Sequence, residues 1–441
     1  MKTKTRSGWN QILCGGVLAA SVLLAGRALA GQPILQDAPM GSTKSAAQLE
    51  AESKSDLAVF TPMADNRDGS LPQPLKIGKV VIRPHINYQI TFGTGLEASP
   101  NTTVDSTIQT ISPGVSVDFG RHWTLDYTPS IRIYSSKAFH DSVDHSASLR
   151  GRFSYEDWLF GVAQGFSKSD SLAVETGAQS QQENYNTALT ASRQLSEKYS
   201  FDLNVSQVIN DVATVSTNFL GGGNQTSRTW STLDWLNYQA GKRASLGIGA
   251  GIGYVDLDNG ASQLFEQLQG RVQWRITDKV SLNLNGGLED RQILASGSSD
   301  SLNPIFGLSL LYAPFEHTQI TLSGSRTVSS SDYYASSQTT ENTGVSLNVS
   351  QRLLEKFYLG GGVSYGHTDY KNSAGVSSTA REDDNYTFTA SLSRSFLKRG
   401  NLAVTYSYGD NRSTQTDFGG AQHHDFTYRS SQISVSAGFA Y

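Results

Sequence analysis

From Lys79 to its last residue, the chain alternates apolar and polar side chains over runs of about 10–15 residues. In the run KVVIRPHINYQITF (79–92), Ile86 and Phe92 share one parity, whereas Arg83 and His85 share the other. A period of two places the two sets on opposite faces of a β-strand. Globular strands average about 5–6 residues, but a tilted strand of roughly 9–11 residues crosses a membrane. The run lengths therefore predict membrane-spanning strands.

The connections between these runs alternate between tight turns and longer polar stretches. Tight turns are predicted at Arg121-His122, Glu156-Asp157, Glu197-Lys198, Lys242-Arg243, Asp278-Lys279, Glu316-His317, Glu355-Lys356 and Lys398-Arg399. Longer loops are predicted at 94–108, 137–144, 169–180, 212–226, 257–262, 292–302, 329–338, 372–382 and 411–424. These connections join about eighteen strands, within a range of 16–18. The pattern predicts an all-β fold, a transmembrane antiparallel up-and-down β-barrel over residues 79–441, with short periplasmic turns.

The last run, SQISVSAGFAY (431–441), keeps the alternation to the end of the chain. Ile433, Val435, Phe439 and Tyr441 share one parity. Because an open sheet edge is not tolerated in lipid, we expect this strand to close the barrel against the first one. A propeller would need four short strands per repeat, and a sandwich would leave too many apolar faces uncovered.

The first 78 residues do not show this alternation. Residues 1–30 combine Lys2, Lys4 and Arg6 with an apolar run and a small-x-small site at Ala28-Leu29-Ala30, which predicts a signal peptide cleaved before Gly31. Residues 31–78 hold five of the eleven prolines. They are predicted to form a periplasmic leader, with a plug inside the barrel as the alternative.

Composition narrows the function classes. Hydrophobic residues make up 37% of the chain, below the roughly 45–50% of globular domains, as expected where half of each strand faces water. Cleavage would remove four cations and change the formal charge from −4 to −8, which argues against nucleic acid as a partner. The lone cysteine, Cys14, lies in the signal peptide, so the mature chain is expected to lack disulfides.

One stretch carries a family resemblance. The sequence ISPGVSVDFGRHWTLDYTPSIRIYSSKAFHDSVDHSASLRG (111–151) resembles the β-barrel porins of the bacterial outer membrane, which have Tyr-rich strands and short turns. The resemblance covers roughly residues 78–441. It implies an outer-membrane barrel in a Gram-negative bacterium, with no catalytic residues, and the final aromatic residue resembles the signal read by the barrel-assembly machinery.

A barrel of this size has a water-filled lumen, and the polar parity identifies the side chains that would line it. The charged members of this set are Arg83, His85, Asp118, Asp126, Arg132, Arg150, Arg152, Asp202, Arg271 and Arg275. We expect them to bias ion selectivity. Arg150, Arg152, Arg271 and Arg275 are predicted to contact anions or sugars. The loops look too short to fold inward as a constriction.

Enzyme and metal sites are not expected. The best candidates are His140, Asp141, Asp144 and His145 in one predicted loop, followed by Asp383-Asp384 and His423-His424. Two histidines and two aspartates could bind a divalent cation, but short acidic loops are usually only solvated. DLDNG (256–260) has Val255 and Leu257 where a calcium loop needs ligands. No catalytic residue, metal or cofactor is therefore predicted.

The sequence thus favours a porin-like channel for small hydrophilic solutes such as ions and sugars. Two alternatives stay open: a conduit associated with polysaccharide secretion, and a non-conducting structural or adhesive barrel. The expected partners are outer-membrane lipid, the barrel-assembly machinery and the solutes themselves. Homo-oligomerisation is left open.

Overall fold

The computed structural model describes residues 75–99, 102–173, 178–213, 225–258, 260–295, 300–330, 339–354, 356–371, 380–396, 399–416, 422–423 and 426–440. The predicted signal peptide, the leader up to residue 74 and Tyr441 lie outside these ranges. No helix within them is long and apolar enough to cross a membrane.

The described residues form an 18-stranded antiparallel barrel. Each long alternating run of the sequence becomes one strand, and the eighth is interrupted at Leu233. The strands are β1 (Val80–Ser99), β2 (Thr102–Phe119), β3 (Trp123–Tyr134), β4 (Ser142–Tyr155), β5 (Trp158–Ala173), β6 (Ala178–Gln194), β7 (Tyr199–Ala213), β8 (Gln225–Thr232 and Asp234–Gly241), β9 (Ala244–Leu257), β10 (Gln263–Thr277), β11 (Val280–Ile293), β12 (Ser301–Phe315), β13 (Thr318–Ser330), β14 (Thr339–Leu353), β15 (Phe357–Lys371), β16 (Ala380–Phe396), β17 (Gly400–Thr416) and β18 (Tyr428–Ala440).

The barrel is closed by pairing of its first and last strands. Each strand pairs with its neighbours in sequence, and β18 pairs antiparallel with β1, so that Phe439 lies opposite Ile86 and Val435 opposite Ile90. Closure leaves no free edge along the paired segment, as lipid requires. The predicted fold class is confirmed, and all eight predicted tight turns fall between consecutive strands.

One face of every strand presents apolar side chains to the outside. On β9, for example, Leu246, Ile248 and Ile252 are exposed, whereas Val255 and Leu257 on the other parity are buried. Such a continuous apolar exterior would be unstable in water. It fits the lipid-facing band of an outer-membrane β-barrel.

Ion pairs replace apolar groups on the outer surface near the longer connections, which we call the loop end of the barrel. Arg228 Nη1 donates to Asp258 Oδ1 at 2.6 Å, and this hydrogen bond lowers the pKa of Asp258. Other pairs on the same side are Lys168–Glu183, Arg326–Glu341, Lys371–Asp369 and Arg412–Asp410. This charged collar indicates where the lipid-facing band stops.

Two local features complete the seam between β1 and β18. Gly95 has φ +66° in a bulge of β1, and a Cβ there would lie 2.1 Å from the carbonyl oxygen of Arg429. Only glycine allows β1 to approach β18 so closely. At the opposite end, Leu75–Ile77 pairs with residues 80–82 of β1 and covers the edge beyond the end of β18.

Several predicted loops are largely strand. β1 runs to Ser99 and β2 starts at Thr102, although residues 94–108 were expected to form a loop. Similarly, β5 and β6 extend into the predicted loop 169–180. Beyond the lipid-facing band neither face of a strand has to be apolar. The backbone hydrogen bonds between strands therefore continue after the apolar alternation has stopped. The length of the alternating run therefore indicates the length of the membrane-spanning part of a strand and not the length of the whole strand.

The two faces of β18 allow a matched test of this arrangement. Val435→Arg places a charge on the lipid-facing side at the middle of the strand, whereas Ser436→Arg places it on the lumen side. We expect Val435→Arg to lower the free energy of unfolding in lipid vesicles by about 2–4 kcal/mol. Ser436→Arg is expected to have a much smaller effect. Equal losses, measured by urea titration, would contradict the assignment of faces.

Candidate functional site: the barrel lumen

The positions of the ten charged residues predicted for the inner wall follow from the parity of their strands. Each occupies the strand parity opposite to the exposed apolar side chains: Arg83, His85, Asp118, Asp126, Arg132, Arg150, Arg152, Asp202, Arg271 and Arg275. Their surroundings differ along the barrel axis. On β10, Gln263 to Gln269 are buried on this parity, whereas Arg275 near the tight turns is exposed. The inner face of β10 is therefore accessible near the tight turns and covered at the loop end.

Paired charges lie on β1 to β3 near the tight turns. Arg83 Nη1 lies 2.6 Å from Asp118 Oδ2, and Thr124 Oγ1 donates to Asp118 Oδ1 at 2.9 Å. His85 Nε2 lies 3.0 Å from Thr128 Oγ1. These contacts tie neighbouring strands together and neutralise Arg83.

Arg271 crosslinks three strands and does not line an open surface. Its Nη2 donates to Asp202 Oδ2 on β7 at 2.5 Å, and its Nε donates to Asn237 Oδ1 on β8 at 2.9 Å. Its guanidinium also stacks over Trp235, 4.4 Å from the ring centroid. The Trp235 ring packs against Gly249, where the absence of a side chain makes room for it. A Cβ at Gly249 would lie 2.8 Å from the ring. A guanidinium with these partners has little capacity left for a solute.

The four arginines predicted to form one cationic patch are not together. Arg150 and Arg152 lie on β4, whereas Arg271 and Arg275 lie on β10, with five strands between them. Arg150, Arg152 and Arg275 are exposed on the inner wall. None of these three forms an ion pair with a carboxylate in the part of the chain that the structure describes. The open cations thus occupy two separate positions on the wall.

A hairpin folds inward at the loop end, which the sequence analysis did not predict. β13 pairs with β12 only up to Arg326 but continues to Ser330. Arg291 Nη2, on the inner face of β11, donates to Val328 O at 3.1 Å, and Ser330 Oγ donates to Gln263 Oε1 on β10 at 2.9 Å. Residues 328–330 at the end of β13 therefore lie over the inner face of β10 and β11.

The arginine beneath this hairpin is fully buried and paired. Arg291 and Glu289 are 3% and 1% exposed, and Arg291 Nη2 lies 2.7 Å from Glu289 Oε1. Gln267 Nε2 donates to Glu289 Oε2 at 2.7 Å, and Arg291 stacks over Phe265 at 4.8 Å. A buried pair of charges needs such additional hydrogen bonds to offset its desolvation.

A similar cluster lies below the segment that leads into β18. Arg381 Nη2 lies 2.6 Å from Asp383 Oδ2 on the inner face of β16, and its guanidinium stacks 3.8 Å from the centroid of Phe426. Phe426 is 1% exposed, and its carbonyl oxygen accepts a hydrogen bond from Asn411 Nδ2 at 2.7 Å. Phe426 is thus held inside the mouth of the barrel.

The connection between β3 and β4 makes the third such contact. Arg132 Nη2 donates to Asp144 Oδ2 at 2.5 Å, and Tyr134 packs against the buried Phe139 with centroids 5.2 Å apart. All three clusters contain an arginine, a carboxylate and an aromatic ring. We call them the arginine clusters of Arg132, Arg291 and Arg381. The expectation that no loop folds inward is therefore wrong.

The candidate metal-binding and catalytic side chains do not converge on one site. Asp144 faces inward to Arg132, whereas the His145 ring stacks on the outward-facing Tyr127, 6.2 Å between centroids. Asp383 faces Arg381, and Asp384 instead accepts a hydrogen bond from Tyr365 at 2.7 Å. The side chains of His423 and His424 lie outside the described residues. Within the described ranges, no group of three or more His, Cys, Asp or Glu side chains is arranged to hold a metal ion.

The buried pair on β11 predicts a strong dependence of stability on Arg291. Arg291→Met should lower the free energy of unfolding by about 3–5 kcal/mol, because Glu289 stays buried without its cation. Adding Glu289→Gln should recover part of the loss, which a double-mutant cycle in lipid vesicles measures. Arg275→Met, which removes an exposed arginine with the same side-chain change, is the control. A loss no larger than that of the control would contradict the cluster.

Comparison with known proteins gives one family match and several structural similarities. Residues 267–431, from β10 to β18, match the family model described as "Surface lipoprotein assembly modifier". This is less than half of the chain. No curated protein matches the sequence.

Solved outer-membrane barrels are similar at low sequence identity. The siderophore receptor PirA from Pseudomonas aeruginosa has 11% identity and a TM-score of 0.44, with 84% of this chain and 81% of that chain covered. The outer membrane protein OpdK from the same organism has 13% identity and a TM-score of 0.44, covering 82% and 99%. OccK2 (OpdF), also from P. aeruginosa, has 12% identity and a TM-score of 0.45, covering 81% and 98%. At the level of fold, the closed 18-stranded barrel itself confirms the resemblance to outer-membrane barrels that the sequence indicates.

Proposed function

We propose that the chain is a porin-like channel for small hydrophilic solutes. The observation that carries the proposal is the inner wall near the tight turns, where exposed arginines lie on β4 and β10. Arg150, Arg152 and Arg275 are exposed there, Arg352 on β14 stacks over Tyr358 at 5.8 Å, and Asp126 has no ion pair among the described residues. A packed, structural barrel would have no need of exposed arginines on its inner wall.

The excess of open cations supports a preference for anions. Charged side chains on the wall of a narrow aqueous pore raise the local concentration of counter-ions. The arginine clusters add a size limit, because the three inward-folded segments narrow the mouth at the loop end. Export through the predicted signal peptide, with a mature chain starting at Gly31, is part of the same proposal.

Planar-bilayer conductance of the refolded chain 31–441 tests the channel. We expect discrete open levels, and a larger current from a chain starting at Leu75 if the leader narrows the lumen. The truncation keeps Leu75–Ile77, since these residues pair with β1. A folded, heat-modifiable barrel with no conductance in either form would contradict the proposal.

The same measurement tests the anion preference. Arg150→Gln combined with Arg152→Gln should reduce the ratio of chloride to potassium permeability by about two- to threefold at low salt, where screening is weak. Arg193→Gln is the control, because Arg193 faces outward and pairs with Asp157 at 3.2 Å. An unchanged reversal potential in a KCl gradient would show that the two lumen arginines do not set selectivity.

The family match favours a second candidate function, a part in the assembly of surface lipoproteins. The matched region runs from within β10 to the start of β18 and includes Arg291 and Arg381 with their carboxylate partners. If this function holds, deleting the gene should reduce the fraction of a surface lipoprotein that external protease can cleave in intact cells. Unchanged surface exposure in the deletion strain would reject this candidate and leave the channel.

A further inference from the structure

The inner wall between β13 and β16 contains a cavity that the channel proposal does not use. It has a volume of about 280 Å³, close to the lower end of the roughly 300–1,000 Å³ of small-molecule pockets. Six uncharged polar side chains line it: Gln319, Thr321, Asn348, Ser350, Thr389 and Ser391. No charged side chain and no aromatic ring is among its lining residues.

The strand register explains the shape of the cavity. In one row across the sheet, Thr321, Asn348, Gly362 and Thr389 are consecutive partners. The neighbouring row consists of Gln319, Ser350, Gly360 and Ser391, so that each row has one glycine on β15 between polar side chains. A Cβ at Gly360 would lie 2.5 Å from Ser391 Oγ, and one at Gly362 would lie 2.6 Å from Asn348 Oδ1. Gly360 and Gly361 line the cavity on β15, between the polar side chains of β14 and those of β16.

The polar groups of the cavity differ from those elsewhere on the wall. At the loop end, inward side chains bond to one another, as in Ser329–Thr340 at 2.7 Å and Asn342–Thr368 at 2.8 Å. The six side chains of the cavity make no hydrogen bond with any other side chain or backbone group in the described ranges. Apart from the buried Thr321, their donors and acceptors are thus available to a solute.

We infer that this cavity binds the hydroxyl groups of an uncharged sugar, an inference that rests on the channel proposal and names a solute class for it. Hydroxyl and amide side chains both donate and accept hydrogen bonds, as sugar hydroxyls do. No charged side chain lines the cavity, and Arg352, two residues beyond Ser350 on the same face of β14, stacks over Tyr358 at 5.8 Å from the ring centroid. Without an aromatic ring to stack on, the sugar is held weakly, which suits a solute that must leave again.

Equilibrium dialysis with radiolabelled maltose tests this site on the full mature barrel, in a detergent that has no sugar headgroup. Asn348→Ala combined with Thr389→Ala should weaken maltose binding by about five- to thirtyfold, as expected for the loss of two hydrogen bonds. Gly360→Ala, which places a methyl group in the cavity and keeps every polar group, should also weaken it. The control is Asn186→Ala combined with Thr190→Ala, the same two residue types facing inward on β6, nine strands away.

The outcomes separate this inference from the channel proposal. Equal maltose affinity in the cavity variants and the control, or no binding at all, would overturn the sugar site whether or not the barrel conducts. Sugar binding that the cavity variants weaken, in a barrel without conductance, would support the site and reject the channel. In a conducting barrel, maltose should interrupt the current, and a polyethylene glycol oligomer of equal size should do so less. Equal interruption by both would mean that size alone is responsible and would overturn the inference.

Discussion

The structure depends on the need to pair every backbone hydrogen-bond donor and acceptor that faces lipid. An unpaired backbone group costs several kcal/mol in hydrocarbon, so the sheet has to close, and β18 must find β1 in a single register. That register sets the faces of both strands, because a shift by one residue would exchange them. The alternation of side chains, the polar lumen and the glycine at the seam all follow from closure.

Within the lumen, arginine has two distinct roles, and the distance to a carboxylate decides between them. Arg271 and Arg291 have an acidic partner within 2.7 Å and a ring to stack on, and both serve to hold strands or a hairpin in place. Arg150 and Arg152 have no such partner among the described residues and keep their donors for the aqueous phase. A count of lumen arginines alone would overestimate the charge that a passing ion meets.

The sequence predicts the strands, their number and their faces, because the lipid forces a period of two on every crossing. It does not predict where strands end beyond the membrane, as the extension of β1 to Ser99 illustrates. It also misses the inward fold of the β13–β14 hairpin, which depends on contacts from Ser330 to a residue three strands away. A local signal does exist: Glu289/Arg291 and Arg381/Asp383 are opposite charges two residues apart, and so share one face of a strand.

The inner wall also has two regions, which differ in whether its polar side chains form hydrogen bonds within the protein. Near the loop end they bond to one another and to buried arginines, and these networks hold the narrowed mouth rigid. Around Gly360 and Gly362 the absence of two side chains leaves the neighbouring hydroxyl and amide groups without protein partners in the described ranges. Groups bonded to each other stabilise the barrel, whereas groups left open can interact with what passes through it. The same residue types, Ser, Thr, Asn and Gln, therefore serve structure at one end of the lumen and, under the proposed sugar site, solute contact nearer the other.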